Sequence, residues 1–518
     1  MAFASYFGRT ATAASQVLQG FDVREFERLL NGSVVGIAFD GQACSTEGRA
    51  SLDLLVRLVA RLYPSICFLP EGEEAVRLAR GLARLARSIN SRITLVRRGG
   101  GLSHCMVVGS AIPDVSCQKL FLGSSGWLAN QSVSRPVGSG NGPNPLGAGA
   151  AACIAAANLF RSVFGAQLSG ASVDEAVAFS LFDYAPGSQV NPALPSNVDL
   201  DRLVLLGLGA IGNGAIWGLS RITGLTGALE VVDPETIDQG NLQRYVMALE
   251  RDVGRSKVKL ASRYIKNNPG LSVIGHEARW QAFPAGSMRH VAVALDSAAD
   301  RIAVQGALPR WTINSWTQRG DLGVSHHGFD DDMACLACIY LPNGTVPDQD
   351  DEIAAALGLE DRKLEVVRPM LHNGSPVDAA LIEEIASRLA IPIDPLLPFV
   401  GKPLRALYQG AICGGVVFEV TAGRSPVKVE VPMAFQSAMA GIMLAGEIIK
   451  RAEGHHGRPW TTAKLNLLRK MPSDVITERR KKDPKGRCIC QDADYLDVYR
   501  AKYGPSPDPA GQSELVVT

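Results

Sequence analysis

The chain has almost no net charge. Its 52 lysines and arginines are balanced by 51 acids, leaving +1 over 518 residues. No global field would draw in nucleic acid or an anionic membrane, and neither is an expected partner. No apolar stretch approaches the ~20 residues of a membrane span. The opening MAFASYFGRTATAASQ lacks a basic segment running into a continuous apolar one, so no secretory signal is expected. Ten cysteines do not make a disulfide scaffold. In a chain without an export signal they are expected to be reduced and the location cytoplasmic, so each cysteine is core filler, metal ligand or nucleophile. The length allows two or three domains, each with its own core.

What is present concentrates between residues 203 and 257. Leu203–Leu206 reads as a buried parallel strand, and Gly207, Gly209 and Gly212 follow at G-x-G-x-x-G spacing before a helix over Ile211–Ile222. That order brings backbone close to phosphates and aims a helix N-terminus at their charge. A second strand, Leu229–Val232, ends in Asp233, an acid placed to hold ribose hydroxyls. Taken alone, these features fit a nicotinamide-dependent oxidoreductase as well as a nucleotidyl-transferring enzyme. Asn241-Leu242-Gln243-Arg244 and Lys257 separate the two, because cations beyond the ribose acid suit charge building on phosphoryl oxygens. Asp296, closing the apolar run His290–Leu295, is placed to hold magnesium beside a nucleotide.

This series, with Asn267-Asn268-Pro269 and Asp296-Ser297, resembles the adenylation domain of the ubiquitin-activating and sulfur-carrier-activating (ThiF-type) superfamily. The resemblance implies Asp233 for ribose, Asn241, Arg244 and Lys257 for the triphosphate of ATP, and Asp296 for magnesium. The run GSSGWLANQSVSRPVGSGNGPNPLGAGAAACIAAANLFRSVF is similar to the N-terminal half of activating enzymes in bacterial ubiquitin-like conjugation operons of the antiphage (Bil) type. The implied fold class is α/β, with two Rossmann-like adenylation folds, the N-terminal one inactive and the C-terminal one active, and an inserted catalytic-cysteine region. An arginine near the start of the partner half then reaches the phosphates, and Arg9 stands where it would.

In order, residues 1–195 form the half without the glycine fingerprint. Ser33–Phe39, Ser65–Leu69, Ile93–Val96 and Lys119–Gly123 read as strands, with Glu74–Ile89 and the Ala-rich Gly147–Phe164 as helices. The Gly/Ser/Pro-rich run 135–148 reads as a solvated loop rather than a second phosphate loop, and its Arg135 as a surface residue. Residues 185–199 read as a linker. The active half begins near 200 and runs to 341, with helices over Ser256–Asn267 and Ala298–Ala307 and a strand over Thr312–Trp316. Residues 342–414 are turn-rich and read as an insertion. Strands over Gly415–Thr421 and Val427–Val431 and a buried helix over Ala434–Arg451 complete the half by 475, and 476–518 is a tail. The basic run from Glu478 reads as a solvated linker.

Cys413, in GAICGGVV at the edge of the insertion, is the candidate nucleophile. Small neighbours leave its sulfur open, and thioesters pass readily to another thiol. Cys335-Leu-Ala-Cys338 and Cys488-Ile-Cys490 look like two halves of a structural zinc site, with His326 and His327 as nearby substitutes if the C-x-C pair cannot place both sulfurs. Cys44, Cys67, Cys105, Cys117 and Cys153 lie in the first half, Cys153 as packing. The implied function is ATP-dependent activation of a ubiquitin-like protein by C-terminal adenylation, thioester formation and transfer to a conjugating enzyme. A sulfur-carrier activator, an oxidoreductase and a scaffold with a relic nucleotide site remain the alternatives, and a homodimer stays open.

Overall fold

Continuous apolar runs with no polar alternation belong to strands covered on both faces. The computed structural model places such runs at the centres of two parallel-rich sheets. It describes residues 3–97, 101–185, 187–266, 268–342, 349–413, 431–455, 460–471 and 475–504. The first half runs α1 (Phe7–Val17), α2 (Val23–Asn31), β1 (Val34–Phe39), α3 (Thr46–Leu62), β2 (Ser65–Pro70), α4 (Glu73–Ile89), β3 (Thr94–Leu95), β4 (His104–Val108), β5 (Gln118–Ser125), β6 (Leu128–Ser132), α5 (Leu146–Phe164) and β7 (Ala176–Ser180). Its sheet order is β3-β2-β1-β4-β5-β6-β7, parallel through β5 and antiparallel beyond.

The second half runs β8 (Val198–Leu206), α6 (Ala210–Leu219), β9 (Leu225–Val232), α7 (Lys257–Ile265), β10 (Leu271–His276), β11 (His290–Val293), α8 (Ala298–Gly306), β12 (Trp311–Thr317), β13 (Leu322–His327) and α9 (Leu336–Tyr340). Four short helices follow, α10 (Gln349–Ala356), α11 (Arg368–Asn373), α12 (Ala379–Leu389) and α13 (Leu404–Leu407). The chain ends with α14 (Ala434–Ala452), β14 (Thr462–Leu465), β15 (Ile476–Glu478) and α15 (Ala493–Tyr503). Its sheet, β10-β9-β8-β11-β12-β13-β14-β15, repeats the first strand for strand in order and direction and adds one edge strand.

The helices α5 and α14 are apolar on nearly every side, which a helix tolerates only when covered all round. The first lies on β5 and β6, the second on β12 and β13, and they meet each other at the join of the halves. By length and composition Leu146–Gln167 could cross a membrane, which corrects the expectation that no stretch approaches that length. The window is 89% buried inside the protein, as a core helix is. Helices α10–α13 enclose a separate small core that includes Leu357, Val367, Ile382 and Leu404.

Several boundaries differ from expectation. The strand β8 begins at Val198, inside the stretch read as linker, and β11 stops at Val293 rather than Leu295. Helices α3 and α15 were not anticipated. The strands expected over Gly415–Thr421 and Val427–Val431, Asn267, and the end of the chain from residue 505 lie outside the described residues, save Val431 itself, which is not in a strand.

Candidate active site

The glycine turn sits at the C-terminal edge of β8, and Gly209 caps α6. Gly207 has φ +89°, and a Cβ there would also lie 2.7 Å from the Ala294 carbonyl oxygen. A Cβ at Gly212 would sit 2.3 Å from the Gly207 carbonyl. These two positions need glycine for the chain to turn this tightly into a helix. Asn213 then locks the turn, its Nδ2 donating to the Leu208 and Gly209 carbonyls at 3.0 and 3.3 Å.

Asp233 follows β9 directly. It accepts the Leu208 N–H at 2.8 Å and the Glu235 N–H at 2.9 Å, so the acid and the glycine turn are one unit. Burial lifts its carboxyl above the usual range, and Lys257 together with those two N–H groups opposes the rise. Lys257 opens α7, whose start is capped by Ser256. Only 4% of its side chain is exposed. Its Nζ lies 3.9 Å from Asp233 and pairs with Glu235. Burial alone would favour the neutral amine, but Tyr245, Asp233 and Glu235 outweigh it and hold the cation.

Asn241 lies in the short turn Gln239–Gln243, where its Oδ1 accepts the Asp238 N–H at 3.0 Å, which leaves its NH2 group as the end that can donate to a ligand. Arg244 follows, and its buried Nη1 has no hydrogen-bond partner among the described residues. A buried guanidinium nitrogen in that state is a ready donor to an anion. Tyr245 gathers the set. The Lys257 Nζ lies 5.2 Å and the Arg244 Cζ 5.8 Å from its ring centroid, and its hydroxyl is 3.6 Å from where a Gly209 Cβ would be.

Asp296 is exposed, three residues beyond β11, before the Ser297 cap of α8. The pairing of Val293 with Leu206 puts it on the sheet edge that carries the glycine turn. Among the described contacts none joins it to Asp233 or Lys257. Arg9 is buried on α1, which packs on the Gln239–Gln243 turn; the Gln239 side chain donates to the Ser5 carbonyl at 3.2 Å. The first half therefore reaches the turn that carries Asn241. Arg135 is exposed. Cys413 ends the turn Tyr408–Cys413, and its side chain lies outside the described residues.

The sulfurs of Cys335, Cys338, Cys488 and Cys490 all lie within 4.8 Å of one another. Cys335 is 3.4 Å from Cys488, and Cys338 is 3.5 Å from Cys490. Both members of the C-x-C pair take part, since the tight turn Ile489–Gln491 brings them to one side. Four thiols in this arrangement fit tetrahedral zinc. His327 bonds instead to the Ala334 carbonyl and Ser325, and His326 stacks edge-on to Trp460. Glu235, Tyr245 and Asn213 went unread in the sequence. Only their place among residues distant in the chain marks them.

A family model described as ThiF family matches residues 196–490, and one described as Prokaryotic E2 family C matches residues 38–165. The Sinorhizobium fredii protein described as Uncharacterized protein y4jF is 46% identical over 516 residues, 98% of this chain and 99% of that one. The SAMP-activating enzyme E1 of Haloferax volcanii is 35% identical over 92 residues, 18% of this chain and 33% of the other. The NEDD8-activating enzyme E1 catalytic subunit of Saccharomyces cerevisiae is 23% identical over 163 residues, 29% of this chain and 54% of the other. The crystal structure of E. coli MccB with ATP aligns at 15% identity over 57% of this chain and 66% of that one, with a TM-score of 0.33, too low to add to these matches.

Proposed function

Because the chain belongs to the ThiF family of E1-like adenylyltransferases, we propose that it activates the C-terminal carboxylate of a ubiquitin-like protein with ATP, takes the acyl group on Cys413 and passes it to a conjugating enzyme. The observation that carries the ATP step is that Asp233 is bonded to the glycine turn and lies beside Lys257, while Lys257 and Arg244 both lie near the ring of Tyr245, whose hydroxyl reaches that turn.

In this reading Asp233 holds the ribose, and the turn with the start of α6 takes phosphate oxygens. Asn241, Arg244 and Lys257 bind the triphosphate, and Glu235, half exposed, yields Lys257 to it. Arg9 comes from the first half. A carrier carboxylate oxygen attacks the α-phosphorus. The bond from that phosphorus to the bridging oxygen breaks, and pyrophosphate leaves with the electron pair. No side-chain base is needed, since the carboxylate is already ionised. Magnesium, for which exposed Asp296 offers a carboxylate, would offset phosphate charge. The Cys413 thiolate then attacks the acyl carbon and AMP departs. Cys335, Cys338, Cys488 and Cys490 would hold a structural zinc, fastening α9 to the start of α15. We place the reaction in the cytoplasm, in a bacterial conjugation system with an antiviral role.

The test is carrier-dependent ATP–pyrophosphate exchange, with candidate β-grasp proteins supplied. Asp296→Ala is expected to abolish exchange, whereas Cys413→Ala should spare it and lose only the dithiothreitol-sensitive adduct. An adduct that survives Cys413→Ala overturns the nucleophile. Calorimetric titration with ATP and NAD separates this reading from an oxidoreductase, ATP binding being the expected result, and exchange without transfer to a conjugating thiol would favour a sulfur-carrier activator. The family described as prokaryotic E2 suggests a conjugating element within residues 38–165. The strand order there matches the adenylation half; of its cysteines Cys67, Cys105 and Cys153 are buried, whereas Cys44 and Cys117 are partly exposed.

A further inference from the structure

Arg61 belongs to the first half, on α3, yet nearly all its hydrogen bonds go to the second. Its Nε donates to the Leu242 carbonyl at 2.9 Å, and its Nη2 donates to the Tyr245 and Ala248 carbonyls at 2.7 and 2.6 Å. Its Nη1 turns back to the Arg57 carbonyl of its own helix, and Arg57 itself donates to the Val246 carbonyl at 2.9 Å. Arg61 is 3% exposed, and every one of these acceptors is a neutral carbonyl. Burying a guanidinium without a carboxylate partner is unfavourable, and an apolar residue would fill the site at less cost to stability.

What an apolar residue cannot do is gather carbonyls from both ends of one turn. Residues 242–248 carry Arg244 and Tyr245 and follow directly on Asn241. Held by their carbonyls on the α3 side, they bring Tyr245 to the glycine turn and Arg244 beside the Tyr245 ring. The opposite side of the turn is tied as well: the Met247 N–H donates to the Asn213 Oδ1 at 3.2 Å, and the same Asn213 binds the Leu208 and Gly209 carbonyls. A guanidinium suits the position because it keeps its charge in a dry site. Burial pulls Arg61 down only to about 10.

We infer that Arg61 is a positioning residue for the triphosphate. It fixes the 242–248 turn so that Arg244 and the glycine turn face the phosphates together, and it makes phosphate binding depend on the seating of the first half. This rests on the reading that ATP binds at that turn.

The test uses the full chain, wild type and Arg61→Lys, titrated at equilibrium with magnesium-ATP and with AMP. Lysine keeps the charge but cannot span Leu242 and Ala248 together. ATP affinity is expected to fall about tenfold to a hundredfold, the size of a lost charged hydrogen bond or two, with AMP affinity changed less than about threefold. In an Arg244→Ala background Arg61→Lys should bring no further loss. Equal losses for ATP and AMP, or losses from the two substitutions that multiply, would overturn the inference. A wild-type chain that binds no ATP would instead sink the reading beneath it. Should Arg61→Lys give no folded chain, Arg57→Lys decides by the same two ligands: a smaller ATP-selective loss supports the role, and a loss shared by AMP ends it.

Discussion

The two halves share one strand order and differ in the loops that leave the ends of those strands. Strand registers align them residue by residue. Phe39 pairs with Pro70 and Val108 as Leu206 pairs with Val232 and Val293, so Asp40 stands where Gly207 does, Glu71 where Asp233 does, and Ala111 where Asp296 does. Asp40 accepts the Gln42 N–H at 3.1 Å and the Ser110 N–H at 3.1 Å, so an internal carboxylate occupies donors of the kind a phosphate would need. From β2 the chain passes through Glu71 and Gly72 straight into α4, which opens on Glu73 and Glu74. From β9 it runs through residues 233–256, with Asn241 and Arg244, into α7, which opens on Lys257. Glu47 ties the loop between β6 and α5 to the β5–β6 turn, accepting the Gly142 and Gly126 N–H groups at 3.0 Å each. The matching place between β13 and α14 holds the cysteine pair on α9 and the small helical core. The scaffold is common to both, and the chemistry is confined to a few loops at the strand ends.

Exchanging residues across that alignment should break the comparison most sharply. Gly207→Asp puts the first half's carboxylate into the second half's turn, at a positive φ and against the Ala294 carbonyl. We expect exchange activity to fall by about 10³-fold or more, as when preorganised donors to a phosphoryl group are lost. The converse Asp40→Gly should leave exchange within about twofold. Circular dichroism of both variants separates loss of site from loss of fold. A Gly207→Asp chain that still exchanges would show that the turn does not bind phosphate.

The cysteine cluster is the next difference, since the first half holds no counterpart among the described residues. Removing metal with a strong chelator, or Cys488→Ser, is expected to lower stability by several kcal/mol, because binding energy at such a site is folding energy. Melting with and without chelator, alongside metal analysis of the purified chain, measures it. A chain without zinc and with an unchanged melting curve would make the four thiols mere packing.

How much of this was legible depended on locality. The glycine turn, Asp233, Asn241, Arg244 and Lys257 could be read because they fall on two consecutive strand–turn–helix units, β8–α6 and β9–α7, whose order along the chain carries their placement. The cysteine pairs were legible for the same reason, although C-x-C spacing alone did not say that both sulfurs would converge. Helix α3 was not legible. Its Arg57 and Arg61 have the look of a solvated face, whereas the second half covers that face and supplies its carbonyls. Tyr245 reads as an ordinary core aromatic until Arg244 and Lys257 are both seen within 6 Å of its ring. Past β11 the Ala294 N–H still donates to the Leu206 carbonyl at 2.8 Å, but the Leu295 carbonyl goes to Arg301 on α8, a partner its own stretch of sequence does not reveal.

A smaller effect tests how the equivalent helices α3 and α6 are joined. Asp53 on α3 pairs with Arg57 at 2.8 Å and with Arg221, just past α6, at 2.6 Å, and accepts the Trp217 indole N–H at 2.9 Å. Burial would raise its carboxyl, but Arg57 and Arg221 prevail and hold it at about 2. A carboxyl depressed below its unfolded value stabilises fully above about pH 4. That contribution is lost as pH falls toward 2. Asp53→Asn should cost about 3 kcal/mol at neutral pH, the low end for a buried pair that loses one partner. It should also flatten the acid limb of a Trp217 fluorescence titration.

The smallest expected effect is the most discriminating. Glu71 and Asp233 occupy the same register position, each the first residue beyond an equivalent strand. Asp233 is buried, binds the Leu208 N–H of the glycine turn and lies beside Lys257, whereas Glu71 is exposed and precedes an acidic helix start. If position in the fold were enough, both acids would hold a ribose and both alanine variants would weaken nucleotide binding. If the surrounding donors and cation decide, Asp233→Ala should lose about tenfold to a hundredfold in ATP affinity, and Glu71→Ala should lose nothing measurable in the same titration. A loss at Glu71 would mean that the first half also binds nucleotide, and that Asp40 leaves its donors when a phosphate arrives.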